Sequence, residues 1–358
     1  MRKEREMKEP NRKRKGKLPI GVKILIGVLT AVVLIAGTAF AYIQHKLNKI
    51  NTANYANLET VSPQDEYFET DEDAAIDITA LELEPEEIEW DIDENIMADK
   101  DVVNILLIGQ DRREGETRAR SDSMILLTIN KKKETLQLTS LMRDLYVQIP
   151  GYSDNRINAA YAFGGMELLD QTIETNFSIQ IDGNIEVDFS GFQSCIDKMN
   201  GIDMELTQEE AEYLNKRGNW DVNNESANTW NLTSGVNHLT GEQALAYARI
   251  RYIGNSDYER TERQRKVIMT VFEKMKSSGI GTILSLIDEM FPLLTTDISH
   301  SELLGYAVKV VSMGIDEIES YRIPIDGGYQ AAVIRKMQVL VPDLEKNRNF
   351  LQEILYGE

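Results

Sequence analysis

Cysteine is almost missing from this chain: Cys195 stands alone. No disulfide can form within the chain, so cysteine pairing carries no information about compartment. The segment FQSCIDKM reads as a helix with Phe192, Cys195, Ile196 and Met199 on one face, which makes Cys195 a small core residue. Histidine is nearly as scarce. His45, His238 and His300 lie far apart, and neither H-E-x-x-H nor a paired-cysteine zinc spacing occurs. A G-x-S-x-G elbow and a G-x-x-x-x-G-K-[ST] phosphate loop are also absent. These absences disfavour zinc hydrolysis, serine-triad hydrolysis and nucleotide-driven ATPase chemistry. Positive charge is the minority sign, with 39 Lys and Arg against 59 Asp and Glu and a formal net charge of -20. A nucleic-acid partner is not expected, because phosphate backbones need cationic surface.

What is present suits a globular protein. The 358 residues allow one large or two modest domains, and 42% hydrophobic with 27% charged residues is enough for a sizeable core. Residues 1–17 form a basic tail. Residues 18–43, LPIGVKILIGVLTAVVLIAGTAFAYI, carry no charge after Lys23, and the next is Lys46. That run of roughly 20 residues can cross a bilayer as a helix. The rival is a cleaved signal peptide, for which AGTAFA (Ala36 to Ala41) could serve as the small-residue site. Because the Lys/Arg excess precedes the span, the N-terminus is expected in the cytoplasm and the remainder outside the cell membrane. Residues 44–100 read as an acidic, largely unstructured spacer whose Ile88, Trp90 and Ile92 could dock on the following domain.

From Asp101 onward the pattern is that of alternating strands and helices. VVNILLIG (102–109) is the continuous apolar, β-branched run of a central strand. SMILLTIN (123–130) and TLQLTSL (135–141) follow as a second and third strand, joined by the polar turn NKKKET. Helices are expected over AAYAFGGMELLDQTIETNF, FQSCIDKM and SELLGYAVKVVSM, with strands over NIEVDF and IESYRIP. The fold class is α/β, with helices layered on a sheet.

An antiparallel order of the first three strands brings loop 110–122 and the segment SLMRD to one sheet edge. Asp111, Asp122 and Arg143 then converge, with Arg112, Arg113, Arg118 and Arg120 on the loop between the two acids. In TGEQALAYA, Thr240 and Gln243 form a capping-box pattern. RIRYIG then looks extended, with Arg249 and Arg251 on one side and Ile250 and Tyr252 on the other. Asp257 is a candidate N-cap. In the helix beyond it, Val267, Ile268, Val271, Phe272 and Met275 form the buried stripe, which Gln264 and Arg260 prolong inward. Arginine forks match phosphate oxygens, and paired carboxylates recruit Mg²⁺ alongside substrate phosphates. The combination describes a pyrophosphate site with a divalent cation.

Seven segments in order carry a resemblance: NILLIGQDRR, RSDSMILLTIN, LTSLMRDLYVQIPG, NRINAAYAFGG, VDFSGF, LTGEQALAYARIR and DYERTERQ. Over residues 101–275 the chain resembles the LytR-CpsA-Psr (LCP) family, and a catalytic domain over 101–358 is expected. The resemblance implies a three-layer α-β-α sandwich with a mixed central sheet, held outside the membrane by one transmembrane helix. It implies transfer of an anionic glycopolymer, such as teichoic acid or capsular polysaccharide, from a polyprenyl-pyrophosphate-linked donor to peptidoglycan. Under it, Asp111 and Asp122 would hold Mg²⁺ or act as the acid/base pair, with Arg120 beside them. Arg120, Arg143, Arg249, Arg251 and Gln264 would grip the pyrophosphate, and Asp257, Arg260 and Arg263 would complete the wall. An apolar tunnel for the polyprenyl tail is expected between the sheet and the helices holding Leu168 to Ile173 and Val267 to Met275. Hydrolysis at the same site, giving a polyprenyl-pyrophosphate pyrophosphatase, or a non-catalytic membrane-anchored wall-binding or regulatory protein are the alternatives. One departure is Asn200 in DKMNGIDMEL, where a second glycine is usual.

Overall fold

Three apolar segments make the centre of the sheet. In a computed structural model of the chain, the described residues are 51–52, 60–70, 80–91, 93, 95–110, 120–216, 230–251, 253–254, 256–278, 286 and 289–357. They fall in one compact unit, Lys46–Glu358. Strand β1 (Val102–Gln110) is buried along most of its length, as its unbroken apolar run requires. It pairs antiparallel with β2 (Ser121–Asn130), which pairs antiparallel with β3 (Thr135–Leu141). The expected up-down-up order is therefore present.

Parallel neighbours widen this centre on both sides, which makes the sheet mixed. Helix α1 (Ile157–Phe177) leads to β4 (Gly183–Asp188), parallel to β1. Beyond β4 the chain forms α2 (Phe189–Lys198), β5 (Ile202–Leu206), α3 (Gln208–Asn215), β6 (Gly235–Leu239), α4 (Gly241–Ala248) and α5 (Ser256–Ser277). The short strand β7 (Thr295–Thr296) joins β4, and after α6 (His300–Met313) strand β8 (Ile318–Ile323) runs parallel to β3. The seven-stranded order, from one edge, is Asn51–Thr52, β7, β4, β1, β2, β3, β8. Hairpin β9 (Tyr329–Ile334) with β10 (Met337–Pro342), helix α7 (Leu344–Leu351) and a π-helical segment (Gln352–Tyr356) complete the described chain.

Alternation along the strands puts a core on each face. Leu106, Ile108, Met124 and Leu126 pack with Phe163, Leu169 and Ile173 of α1 and with Leu351 of α7. Val103, Ile105, Ile125 and Leu138 pack on the other face with Ile268 and Phe272 of α5 and Leu303 of α6. The two helices expected to bound one lipid tunnel therefore lie on opposite faces of the sheet. A third core joins α2, the antiparallel pair β5 and β6, α3, α4 and Val267 of α5. Cys195 is buried beside this core, next to Ile196 and Met199.

Several expectations are corrected. The described residues of RIRYIG form no strand: Arg249 caps the end of α4 with φ -100° and ψ -1°, and Ile250, Arg251, Ile253 and Gly254 are in none. The good capping box at Thr240 and Gln243 launches a helix that runs through the alanines to Ala248. Asp257 sits inside the first turn of α5 rather than before it. Part of the expected spacer packs on the domain. Leu81–Glu82 pairs with β9, Trp90 Nε1 donates to Asp154 at 2.8 Å, and Val61 N donates to the Phe163 carbonyl at 2.9 Å. Asn200 adopts φ +59° and Gly201 φ +72°, so the turn needs two left-handed residues and Asn is the non-glycine that tolerates the first. The expected membrane span, residues 18–43, lies outside the described residues. Among the described residues no helix is long and apolar enough to cross a membrane.

Candidate functional site

The site begins with an irregularity in the sheet. Gly109 pairs with Ser123, but Gln110 pairs with Ser121, so Asp122 is one extra residue in β2. Such a β-bulge re-aims a side chain and bends its strand. Gly109 fits this tight place: a Cβ there would lie 3.2 Å from Ser123 Cβ. Asp122 is thereby presented at the edge where β3 ends, and β3 delivers Arg143 and Asp144 two and three residues beyond Leu141.

From Asp122 a continuous row of opposite charges runs both ways. Arg143 Nη1 donates to Asp122 Oδ1 at 3.0 Å. Arg251 Nη2 lies 4.0 Å from the same oxygen, and its Nε lies 4.0 Å from Asp257 Oδ1. Asp257 Oδ1 is 2.8 Å from Arg260 Nη1, one helical turn on. In the other direction Arg143 Nε approaches Asp144 Oδ2 at 3.5 Å, and Asp144 Oδ1 approaches Arg156 Nη1 at 3.4 Å. Arg156 Nη2 then meets Glu69 Oε2 at 3.0 Å, and that oxygen is 3.5 Å from Arg120 Nε. Arg120 also donates to Asn158 Oδ1 at 3.2 Å and lies 5.1 Å over the Tyr67 ring.

Five guanidinium groups share this row with four carboxylates, so it retains an excess of positive charge. The groups are crowded enough to perturb one another. Burial first, then the neighbouring Arg143 guanidinium, pull Arg260 down to about 10. Burial pulls Arg143 down too, but Asp144, Asp122 and Asp257 outweigh it and hold its pKa above the ordinary arginine value. Asp144 is raised by burial and by the negative charge of Asp257, against the pull of Arg143. Burial lowers Arg120, with Glu69 opposing. Arg120 Nη2, Arg143 Nε and Arg260 Nε are buried without a hydrogen-bond acceptor. Arg260 Nη1 and Asp257 Oδ1 are close yet not aligned for a hydrogen bond. Buried donors without acceptors are costly, and an anion bridging them removes that cost.

Other expected site residues are placed differently. Arg263 is a structural pin: its Nε donates to Glu210 of α3 and its Nη2 to Glu259, each at 2.8 Å, and it is 5% exposed. Position 263 falls on the side of α5 that meets α3, and the buried Glu210 holds it there. Arg249 stacks 4.5 Å over the Phe189 ring at the start of α2. Gln264 is half-buried, one turn beyond Arg260. Asp111, Arg112, Arg113 and Arg118 lie outside the described residues. Sequence reasoning missed Arg156 and Glu69. Arg156 stands in NRINAAYAFGG and had a signal, an arginine at a helix start; Glu69, inside an acidic stretch, had none.

For a divalent cation, the contacts of Asp122 to Arg143 and Arg251 are both made through Oδ1. That oxygen-only donor suits Mg²⁺, which is commonly held by one or two carboxylates with phosphate oxygens and water completing its shell. Among the described residues no group of three or more His, Cys, Asp or Glu side chains could hold a metal alone.

Comparison with known proteins gives a consistent picture. The LytR_cpsA_psr family model matches residues 65–353. The polyisoprenyl-teichoic acid–peptidoglycan teichoic acid transferase TagT of Bacillus subtilis (strain 168) is 29% identical over 313 residues, covering 86% of this chain and 87% of its own length. TagU of Bacillus mycoides (strain KBAB4), of the same designation, is 33% identical over 253 residues, 68% of this chain and 75% of its own. A solved structure described as TagT bound to LI-WTA superposes with a TM-score of 0.59 at 27% identity, covering 74% of this chain and 95% of that one.

Proposed function

The chain belongs to the LytR_cpsA_psr family, and from that premise we propose that it is a phosphotransferase joining a polyprenyl-pyrophosphate-linked anionic glycopolymer to peptidoglycan. The observation that carries the proposal is the row of arginines and carboxylates at the bulged end of β2, with buried guanidinium donors lacking acceptors. The transferase activity for which TagT and TagU are named, and the TagT complex, support the substrate class.

In the proposed reaction a peptidoglycan hydroxyl, the 6-OH of N-acetylmuramic acid, attacks the phosphorus next to the glycan. A new P–O bond forms there, the P–O bond to polyprenyl phosphate breaks, and the departing lipid carries the second phosphate. The hydroxyl proton goes to a carboxylate of the pair Asp111 and Asp122. Such transfer depends on positioning and on neutralising charge. Arg143 and Arg251, oriented by Asp122 and Asp257, face the bridging oxygen, while Arg120 and Arg260 take the outer phosphate oxygens. Asp122 and Asp111 would hold Mg²⁺, whose contribution is to neutralise further charge on the phosphates. A transmembrane helix over residues 18–43 would keep the domain outside the cell, beside its lipid donor.

Full-length protein incubated with polyprenyl-pyrophosphoryl glycan, uncross-linked peptidoglycan and Mg²⁺ tests the reading. Glycan joined to peptidoglycan is expected, with polyprenyl monophosphate as the second product. Lipid monophosphate released equally fast without acceptor would mean hydrolysis instead. Removing a donor aimed at developing charge costs on the order of 100-fold in kcat. Arg251→Ala and Asp122→Ala are each expected to lose at least that much while keeping the wild-type Tm. Normal turnover in either removes that residue from the mechanism.

A further inference from the structure

Glu69 differs from the other three acids of the arginine row in how it arrives and how firmly it is held. The side chains of Asp122, Asp144 and Asp257 are 29%, 15% and 30% exposed, whereas that of Glu69 is 58% exposed. Glu69 comes in on a strap, residues 60–69, laid across the start of α1. The strap is fixed just short of its end. Glu66 accepts hydrogen bonds from Ser153 N and Oγ at 2.9 and 2.7 Å, and Asn155 Nδ2 donates to the Tyr67 carbonyl at 3.2 Å. The Tyr67 ring packs edge-on against Phe163, with centroids 5.2 Å apart. The Glu69 carbonyl itself accepts from Arg156 Nη2 at 2.9 Å. From that fixed backbone the side chain reaches into the row, where Oε2 is shared between Arg156 and Arg120.

The asymmetry of these pairs decides which partner gives way. The Arg156 and Arg120 side chains are 4% and 12% exposed, and both are held by other groups as well: Arg156 by Asp144, Arg120 by Asn158 and the Tyr67 ring. An exposed carboxylate loses little by swinging back into water. Arg120 Nη2 is buried without an acceptor even with Glu69 in place, so the carboxylate occupies this guanidinium without completing it. A phosphate has the same sign and more oxygens, and it can satisfy the remaining donor. Resting on the function proposed above, we propose that Glu69 is a resident competitor for the lipid phosphate at Arg120 and limits how long the product stays. Its carboxylate holds Arg120 while the site is empty and yields to the donor. It returns once transfer leaves polyprenyl phosphate alone there. The competition weakens donor and product alike. The donor keeps its contacts with Arg143 and Arg251, whereas the product has given up one phosphate to the glycan and departs.

The test measures Kd for two probes, polyprenyl pyrophosphate and polyprenyl monophosphate, with full-length protein in nanodiscs. The variants are Glu69→Gln, which keeps the shape and removes the charge, and Asp65→Asn, which removes the same charge from an exposed side chain earlier in the strap. Removing one competing exposed carboxylate is worth about fivefold in affinity. Glu69→Gln is expected to tighten both lipids by about that factor, and Asp65→Asn to leave both within about twofold. A side chain that only positioned Arg120 would have the opposite sign, so weaker binding in Glu69→Gln overturns the proposal. Unchanged binding does too, and so does an equal gain in Asp65→Asn, which would reduce the effect to general charge. Wild-type protein that binds polyprenyl pyrophosphate while Glu69→Gln changes nothing sinks the competitor alone. If neither wild type nor Glu69→Gln binds either lipid, the function proposed above falls and the competitor with it.

Discussion

Arg263 and Arg251 belong to the same arginine-rich stretch, and the structure separates them: Arg263 is a buried pin on Glu210, whereas Arg251 stands in the row with Asp122 and Asp257. Replacing Arg263 by methionine keeps the aliphatic bulk but leaves Glu210 charged at 8% exposure, with its neighbour gone. Removing one partner of a buried pair costs about 3–5 kcal/mol. Glu210 still accepts a hydrogen bond from Thr207 N at 2.9 Å, which favours the lower end, about 3 kcal/mol. The Glu259 contact adds no more than about 0.5 kcal/mol, because that carboxylate is 39% exposed. At about 2–4 °C per kcal/mol, Arg263→Met should lower Tm by roughly 6–12 °C. Adding Glu210→Gln removes the stranded charge and should recover about half of the loss. Arg251→Ala, at a side chain 38% exposed, should change stability by no more than about 0.5 kcal/mol. Differential scanning fluorimetry of the three variants, alongside polyprenyl pyrophosphate binding, checks the set. An Arg263→Met protein with wild-type Tm and abolished lipid binding would refute this division.

Three further outcomes follow from particular contacts. A Cβ at Gly241 would fall 2.1 Å from the Gln193 backbone carbonyl oxygen, where α4 crosses α2, so Gly241→Ala should cost roughly 2 kcal/mol by chemical denaturation; no change would mean that this crossing is looser than described. Asp170 on α1 is pushed up to about 8, first by burial and then by Asp297, Glu174 and Glu167, against the hydrogen bond from Asn184. Between about pH 4 and pH 8 the unfolded chain has released a proton that the folded protein keeps, so stability falls as pH rises through this window. Asp170→Asn should flatten that slope in urea titrations at stepped pH, and an unaltered slope would clear Asp170 of the effect. Chelation by EDTA should abolish transfer and added Mg²⁺ restore it, whereas full turnover in EDTA would remove the metal from the mechanism.

Much of the sheet is legible in the sequence because its centre is built from segments that can do little else. VVNILLIG has no polar face, so it must be buried on both sides, and NKKKET between two apolar runs is a tight turn. Helices α1, α2 and α6 announce themselves by period, and α4 by its capping box. What is hidden depends on distant partners. RIRYIG has strand-forming residues, yet α4 ends within it, at Arg249. The bulge at Asp122 is invisible because one extra residue in a strand leaves the apolar pattern almost unchanged. Arginines at 251, 260 and 263 look alike in sequence. Only the position of Glu210, on another helix, makes Arg263 structural. Glu69 illustrates the same limit, since an acid in an acidic stretch shows nothing until its contacts with Arg120 and Arg156 are known.

A structure of the protein with a polyprenyl pyrophosphate bound addresses the central claim most directly. The expected result places diphosphate oxygens within hydrogen-bonding distance of Arg120, Arg143, Arg251 and Arg260, beside Asp122. A diphosphate held elsewhere, with these four guanidinium groups still engaged only by their carboxylates, would contradict it.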